Sequence, residues 1–172
     1  DGEYRVQVTD LQRAGGGENF YRLSLGEFPY VTSVYPLGVP AGPASEVELV
    51  GYNLPAGAKA TAGGAEPGEV SVPLDAERYR FRAEPKVAVS SGRRFVESEP
   101  NDVPAQAQAI AAPSVVEGRI SSQAAGAEQP DADLFRFTAK AGESWIIEAE
   151  AARRGSPIDT VIEVLDAEGR PV

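Results

Sequence analysis

Two stretches decide the fold of this chain: Tyr30-Val31-Thr32-Ser33-Val34-Tyr35 and Glu46-Val47-Glu48-Leu49-Val50-Gly51. Both are short, rich in β-branched and apolar residues, and flanked by turn-forming prolines and glycines, as is typical of β-strands. A strict alternation of apolar and polar residues starts at Tyr4, and we interpret it as a half-buried strand. Further strands are predicted at residues 21–25, 69–74, 78–82, 86–90, 115–120, 134–138, 145–149 and 160–165. Many short strands without a long helical period predict an all-β chain made of sandwiches.

Turn signals and charge divide the chain into three segments. Residues 15–17 are a glycine loop between two strand candidates, which predicts a hairpin over residues 4–25. Residues 103–112 are rich in Ala and Gln and end at Pro113, so either one short helix or an irregular turn is expected there. We place domain boundaries after residue 26 and after residue 96, which gives segments 1–26, 27–96 and 97–172.

The composition excludes several classes of function. With 26 acidic and 16 basic residues the formal net charge is −10, and such a surface repels the phosphate backbone of nucleic acids. The chain has no Cys and no His, which excludes disulfides, Cys/His zinc sites and catalysis by thiol or imidazole groups. No apolar run approaches the roughly 20 residues of a membrane-spanning helix, so membrane insertion is not expected. Because the chain also lacks Met, we expect it to be a piece of a longer protein.

An ordered set of motifs runs through residues 97–172. Glu97-Ser98-Glu99-Pro100-Asn101-Asp102 is followed by Val116-Glu117-Gly118-Arg119-Ile120, then Asp131-Ala132-Asp133-Leu134-Phe135-Arg136-Phe137, then a stretch over residues 158–169. In this order the motifs resemble the bacterial pre-peptidase C-terminal (PPC) domain family. The resemblance implies that residues 97–172 are the N-terminal part of a jelly-roll-like β-sandwich. Residues 1–26, at the other end of this sequence, resemble the strands that usually end such a domain.

The segment between these two parts has a different resemblance. Pro29-Tyr30-Val31-Thr32-Ser33-Val34-Tyr35-Pro36, Gly42 and Val47-Glu48-Leu49-Val50-Gly51-Tyr52-Asn53-Leu54 resemble an IPT/TIG-type domain. This implies an immunoglobulin-like β-sandwich over residues 27–96. The order of segments, and the pattern around Phe28-Pro29-Tyr30, resemble large exported planctomycete-type proteins. A secreted or cell-surface location, extracellular or periplasmic, is therefore expected.

Neither PPC-like part can close a sandwich alone, because each would leave sheet edges and an apolar face open. We therefore predict that residues 1–26 and 97–172 complete each other, within one chain or by strand-swapped self-association. Other domains of the parent protein are the remaining expected partners.

The candidate metal site consists of six oxygen-bearing side chains: Glu97, Glu99, Asn101, Asp102, Asp131 and Asp133. The first three lie at alternate positions, so an extended chain directs them to one side. Hard oxygen ligands without His or Cys suit Ca²⁺ better than a transition metal. The PPC resemblance implies that the acidic signature is completed by the two aspartates before the strand at 134–138, with Ser121 or Ser122 as further candidates. The alternative is a plain turn in which Asn and Asp cap backbone groups.

A catalytic function is not expected. Among 26 acidic residues, chance carboxylate pairs of the glycosidase kind are unavoidable, and no pattern singles out an acid and a base. We predict a non-catalytic structural, spacer or adhesive module of a larger secreted or cell-surface protein, rigidified by Ca²⁺ at the 97–102 linker. The alternative is a polysaccharide- or fibrous-protein-binding module accessory to a secreted hydrolase. It requires exposed aromatic residues, whereas core burial is the commoner fate of Trp145 and of Tyr30, Tyr35, Tyr52 and Tyr79.

Overall fold

The computed structural model describes residues 1–121 and 131–172. Within these residues the chain is all-β, with short strands, two 3-10 turns and no α-helix. The 3-10 turns are Pro104–Gln106 and Ala152–Arg154. The strands are β1 (Tyr30–Tyr35), β2 (Gly38–Pro40), β3 (Ser45–Tyr52), β4 (Lys59–Ala62), β5 (Gly68–Ser71), β6 (Arg80–Phe81), β7 (Lys86–Ser90), β8 (Arg93–Val96), β9 (Gln108–Ala109), β10 (Ser114–Glu117) and β11 (Phe135–Arg136).

Strands β1 to β7 form a β-sandwich. One sheet has the order β4-β3-β1-β6 and the other has the order β2-β7-β5. β3 pairs antiparallel with β1 and β4, β7 pairs antiparallel with β5, and β6 and β2 join their sheets in parallel. The inward side chains of both sheets form one buried cluster: Val31, Val34, Val39, Val47, Leu49, Ala62, Val72, Tyr79, Val87 and Val89.

The sandwich follows from period-two side-chain placement. In β3, Val47 and Leu49 are buried while Glu46 and Glu48, which alternate with them, are exposed. Each such buried aliphatic side chain stabilises the fold by about 1.5–3 kcal/mol. A shift of register between Val31 and Ser33 interrupts the alternation, so that Val31 and Val34, three residues apart, both lie in the core, which is the effect of a β-bulge.

The four remaining strands continue from the end of the sandwich. β8 follows β7 after a short turn and pairs in parallel with β10. β9 pairs in parallel with β11. The pairing of β8 with β10 crosses the boundary that we placed after residue 96, so the two segments share a two-stranded sheet.

The structure differs from the sequence expectations at both ends of the chain. The hairpin expected over residues 4–25 is not formed, and this segment, which is described in full, contains no strand. Its apolar side chains are exposed: Tyr4, Val6, Val8, Phe20, Tyr21, Leu23 and Leu25. An isolated hairpin is marginal in water, so alternation alone does not make a strand when no sheet lies beside it.

The strands expected at residues 145–149 and 160–165 are also not formed, apart from one bridge between Leu165 and Pro171. Trp145 is 39% exposed rather than buried in a core, and its ring packs on Phe137 at a centroid distance of 5.1 Å. The helical-looking stretch 103–112 contains the first 3-10 turn and β9, in agreement with the irregular-turn alternative. β2, β4, β8 and β9 were not expected, because strands of two to four residues are too short to show a period.

No helix among the described residues is long and apolar enough to cross a membrane. The assignment of segments 1–26 and 97–172 to PPC-like domains, and of 27–96 to an IPT/TIG-like domain, stays a prediction.

Candidate metal centre

Three carboxylates meet where the sandwich passes into the C-terminal segment. Glu97, Glu99 and Asp133 each place one oxygen within 4.8 Å of the others. Glu97 follows directly after β8, and its backbone N–H donates to the Glu117 carbonyl at 3.0 Å, which prolongs the β8–β10 pairing. Asp133 lies two residues before β11. Its neighbour Leu134 donates a backbone hydrogen bond of 3.1 Å to the Asn101 carbonyl, and this bond holds the two acidic segments together.

Asn101 is the most unusual residue of the centre. It is fully buried, with 0% exposure, and neither its Oδ1 nor its Nδ2 makes a hydrogen bond of normal geometry among the described residues, although its side chain lies close enough to Asp133 to lower the pKa of that carboxyl group. Oδ1 of Asp133 is likewise buried without a partner there. Leaving a buried polar group without a partner costs about 1–3 kcal/mol, so these atoms suit a ligand that they can bind.

The electrostatics of the centre point in the same direction. Burial, together with the nearby Glu97 and Asp131 carboxylates, raises the pKa of Asp133 from its ordinary value of 3.8 to about 6, while the Asn101 side chain opposes this rise. Crowded carboxylates repel one another unless a proton or a cation neutralises them. The centre is therefore an attractive position for a cation.

The residues present fit calcium. Two oxygens bound to one Ca²⁺ at about 2.3–2.6 Å are at most about 5 Å apart, and the 4.8 Å limit for Glu97, Glu99 and Asp133 lies within that span. The buried Asn101 amide adds an uncharged oxygen of the kind that Ca²⁺ accepts. The donor set contains neither nitrogen nor sulfur ligands from His or Cys, as expected for a hard cation.

The structure separates the six predicted ligands into two groups. Glu97, Glu99, Asn101 and Asp133 come together, and Glu99 Oε2 also accepts the Asn101 backbone N–H at 2.9 Å. The other two aspartates bind backbone groups instead. Asp102 Oδ1 accepts the Ala132 N–H at 3.2 Å, and Asp131 Oδ2 accepts the Ser121 N–H. These contacts shape the loops around the centre, whereas the further candidate Ser122 lies outside the described residues.

Gly118 and Arg119 support the centre, although sequence reasoning gave neither of them a role. A Cβ atom at Gly118 would lie 2.5 Å from Glu97 Oε2 and 3.2 Å from Asp133 Oδ2, so a larger residue here would displace the Glu97 carboxylate from its present position. The Arg119 backbone N–H donates to Glu97 Oε2 at 2.7 Å. Both residues belong to the motif 116–120, so the motif order was the signal available in the sequence.

The side chain of Arg119 reaches from the centre to the sandwich. Its guanidinium lies 3.8 Å from the centroid of the Tyr35 ring, and Nη2 binds Glu48 Oε2 at 2.5 Å. Burial, together with the negative charge of Glu97, raises the pKa of Tyr35. The same arginine thus contacts β1 and β3 of the sandwich by its side chain and a candidate metal ligand by its backbone.

A buried ion pair forms a second link at this joint. Arg94 Nη2 binds Glu117 Oε1 at 2.8 Å and the Gly38 carbonyl at 2.7 Å, while the Leu37 N–H donates to Glu117 Oε2 at 3.2 Å. Burial raises the pKa of Glu117, and Arg94 opposes that rise. Because β8, β10 and the sandwich meet at this pair, it fixes the position of the segment that carries the metal centre.

Comparisons with protein-family models, with curated proteins and with solved structures found no match to this chain. The candidate function therefore rests on the geometry of the joint and on the chemistry of its side chains.

Proposed function

We propose that this chain is a non-catalytic spacer or adhesive module of a larger secreted or cell-surface protein, and that Ca²⁺ rigidifies the joint between its sandwich and its C-terminal segment. The observation that carries the proposal is the cluster of Glu97, Glu99 and Asp133 beside the buried Asn101, whose side-chain amide makes no hydrogen bond of normal geometry within the described part of the chain. Other domains of the parent protein are the partners that such a spacer would position.

The position of the cluster explains how an ion would stiffen the joint. Glu97 extends directly from β8, which continues the sandwich, whereas Asp133 belongs to the strand pair β9–β11. An ion held by both would tie these two units together, because its ligands come from both sides. When bound, Ca²⁺ supplies positive charge that neutralises the carboxylates; the protein supplies the preformed oxygens.

The test is a calcium titration of the melting temperature of the full chain. For a dissociation constant of about 10⁻⁴ M, in the weak extracellular range, 10 mM Ca²⁺ adds about 2.7 kcal/mol to the free energy of unfolding. A protein of this size should then melt about 5–11 °C higher. The fluorescence of Trp145, the only tryptophan, reports on the C-terminal segment, and far-UV circular dichroism reports on the strands.

Matched variants identify the site. Asp133→Asn and Glu97→Gln should abolish the shift, whereas Glu143→Gln, which neutralises an exposed carboxylate in the same segment, should leave it unchanged. An unchanged melting temperature of the parent chain in millimolar Ca²⁺ would remove the proposal. Equal loss of the shift in the Glu143 variant would show non-specific screening instead.

A further inference from the structure

The outer face of the sandwich carries a row of arginines at its β6 edge. Tyr79 is buried and Phe81 packs against the core, while Arg78, Arg80 and Arg82 are exposed. Arg80 lies in β6, whereas Arg78 ends the turn at residues 76–78 and Arg82 lies in the bend after the strand. All three side chains are exposed, so three guanidinium groups come together at this edge of the sheet. β6 is also the edge strand of the order β4-β3-β1-β6, which leaves this side open.

Aromatic residues lie beside the arginines in the register of the sheet. Tyr52 of β3 is paired with Tyr30 of β1, and Tyr30 is paired with Arg80 of β6. The neighbouring row contains Val31 and Phe81, which face the core, so the row Tyr52–Tyr30–Arg80 lies on the outer face of the sheet, with Tyr30 half-buried between two exposed residues. Tyr52 is 70% exposed.

Phe28 completes this surface, because the Arg80 guanidinium lies 5.9 Å from the centroid of its ring. The arginine–tyrosine strip is defined by Phe28, Tyr30, Tyr52, Arg78, Arg80 and Arg82. Adjacent strands are about 4.8 Å apart and alternate residues of a strand about 6.6 Å apart, so the strip extends over several side chains in both directions.

The guanidinium groups of the strip have no carboxylate partner among the described residues. Arg80 Nη1 donates to the Ala76 carbonyl at 2.6 Å. The nearby Asp75 carboxylate accepts the backbone N–H groups of Glu77 and Arg78 instead of a side chain. The Arg78 guanidinium lies 5.1 Å from the centroid of the Tyr79 ring. Three of the 16 basic residues of a chain with a net charge of −10 thus lie within five positions, and none of the three is neutralised by a carboxylate of the described residues.

We propose that the arginine–tyrosine strip binds an anionic polysaccharide, one whose sugar rings carry carboxylate groups. The guanidinium group matches a carboxylate by two parallel hydrogen bonds, and the face of an exposed tyrosine ring packs against the C–H groups of a pyranose. A strip that places these two chemistries side by side fits a chain of charged sugars. This activity goes beyond the spacer function and does not depend on calcium.

Shape and charge favour this ligand over others. Small molecules bind in concave sites, whereas the strip is an open sheet face that suits an extended polymer. Nucleic-acid binding depends on many phosphate contacts and on a basic domain, which three arginines in an acidic chain do not provide.

The experiment measures binding of the full chain to polygalacturonate by isothermal titration calorimetry, in a calcium-free buffer with a chelator. This condition prevents calcium bridges between the carboxylates of the polymer and those of the protein. Hydroxyethylcellulose is the neutral comparison polymer. We expect binding to polygalacturonate that weakens with added salt, and at least tenfold weaker binding to the neutral polymer.

Variants locate the surface. Arg80→Gln combined with Arg82→Gln, and separately Tyr52→Ala, should each weaken polygalacturonate binding at least about fivefold without changing the melting temperature. The control Arg136→Gln removes an exposed positive charge in β11 and should have no effect.

Equal weakening in the control, or unaltered affinity in the strip variants, would overturn the proposal. The proposal would also be wrong if the chain bound the neutral polymer and only Tyr52→Ala reduced that binding, because the ligand would then be uncharged. If the chain binds neither polymer, but associates with itself through contacts that Arg80→Gln abolishes, the occupant is the acidic surface of a second copy and the proposal is wrong.

Discussion

The buried ion pair at the joint gives the sharpest test of the architecture, through the substitution Arg94→Met. The side chains of Arg94 and Glu117 are only 19% and 10% exposed. Removal of one partner of a buried pair costs about 3–5 kcal/mol, because the other charge is left uncompensated. The partial exposure of Arg94 favours the lower end, about 3 kcal/mol, which corresponds to a melting temperature about 6–12 °C lower.

The direction in which a second substitution changes the stability distinguishes an uncompensated charge from simple loss of packing. Adding Glu117→Gln to Arg94→Met removes the stranded charge while the Gln oxygen still accepts from the Leu37 N–H, so the double variant should be more stable than Arg94→Met alone. Because burial raises the pKa of Glu117 in the folded state, the folded variant binds a proton more readily than the unfolded chain. The defect of Arg94→Met should therefore be larger at pH 7 than at pH 5.

Urea denaturation followed by circular dichroism and by Trp145 fluorescence measures these differences. The matched control is Arg93→Met, on the same strand but exposed, which should change the free energy of unfolding by no more than about 0.5 kcal/mol. The reasoning is refuted if Arg94→Met is as mild as Arg93→Met, or if the double variant is less stable than the single one.

Three further predictions concern the core, the metal centre and the open apolar segments. Val87→Ala, at a position with 0% exposure, removes two methyl groups and should lower the free energy of unfolding by about 2–3 kcal/mol, with Ala88→Gly as a comparison on the same strand in urea denaturation. Because the pKa of Asp133 is raised from 3.8 to about 6, the folded state binds more protons than the unfolded state between these values. The melting temperature without Ca²⁺ should therefore fall as the pH rises from about 4 to about 6, and a flat profile, or one that Asp133→Asn does not flatten, would contradict the assignment. The exposed apolar residues of the segment 1–26, such as Tyr4, Val6 and Leu23, should drive strand-swapped association with residues 97–172 of another copy. Light scattering at high protein concentration measures this association, and Val6→Lys should weaken it. If the parent chain and the Val6→Lys variant are both monomeric, the prediction is wrong.

Local pattern predicted five of the seven strands in the sandwich and missed the short strands β2 and β4. β1 and β7 have the expected bounds, and β3 differs by one residue at either end. These stretches become strands because the other sheet covers their apolar faces. The segments around Val6 and Ile147 have the same alternation but no covering sheet, and they form no strand.

The candidate site was predictable only as a set of residue types. The spacing of Glu97, Glu99 and Asn101 indicated oxygen ligands, and the motif order drew attention to Asp131 and Asp133. Nothing local showed that Asp131 binds a backbone N–H while Asp133 joins the other carboxylates. That choice depends on how the loop is held by the Leu134–Asn101 hydrogen bond.

The sequence by itself determined that the chain is all-β and acidic, and that any metal site must be built from oxygen, because period-two alternation and residue chemistry are local properties. Only the tertiary structure decided that Arg94 meets Glu117, that Arg119 stacks on Tyr35, and that the Tyr52–Tyr30–Arg80 row lies on the outer face of the sheet. Each of these contacts joins segments that are far apart in the chain. Their proximity depends on strand register and on the pairing of β8 with β10, and neither can be predicted from a single stretch of residues.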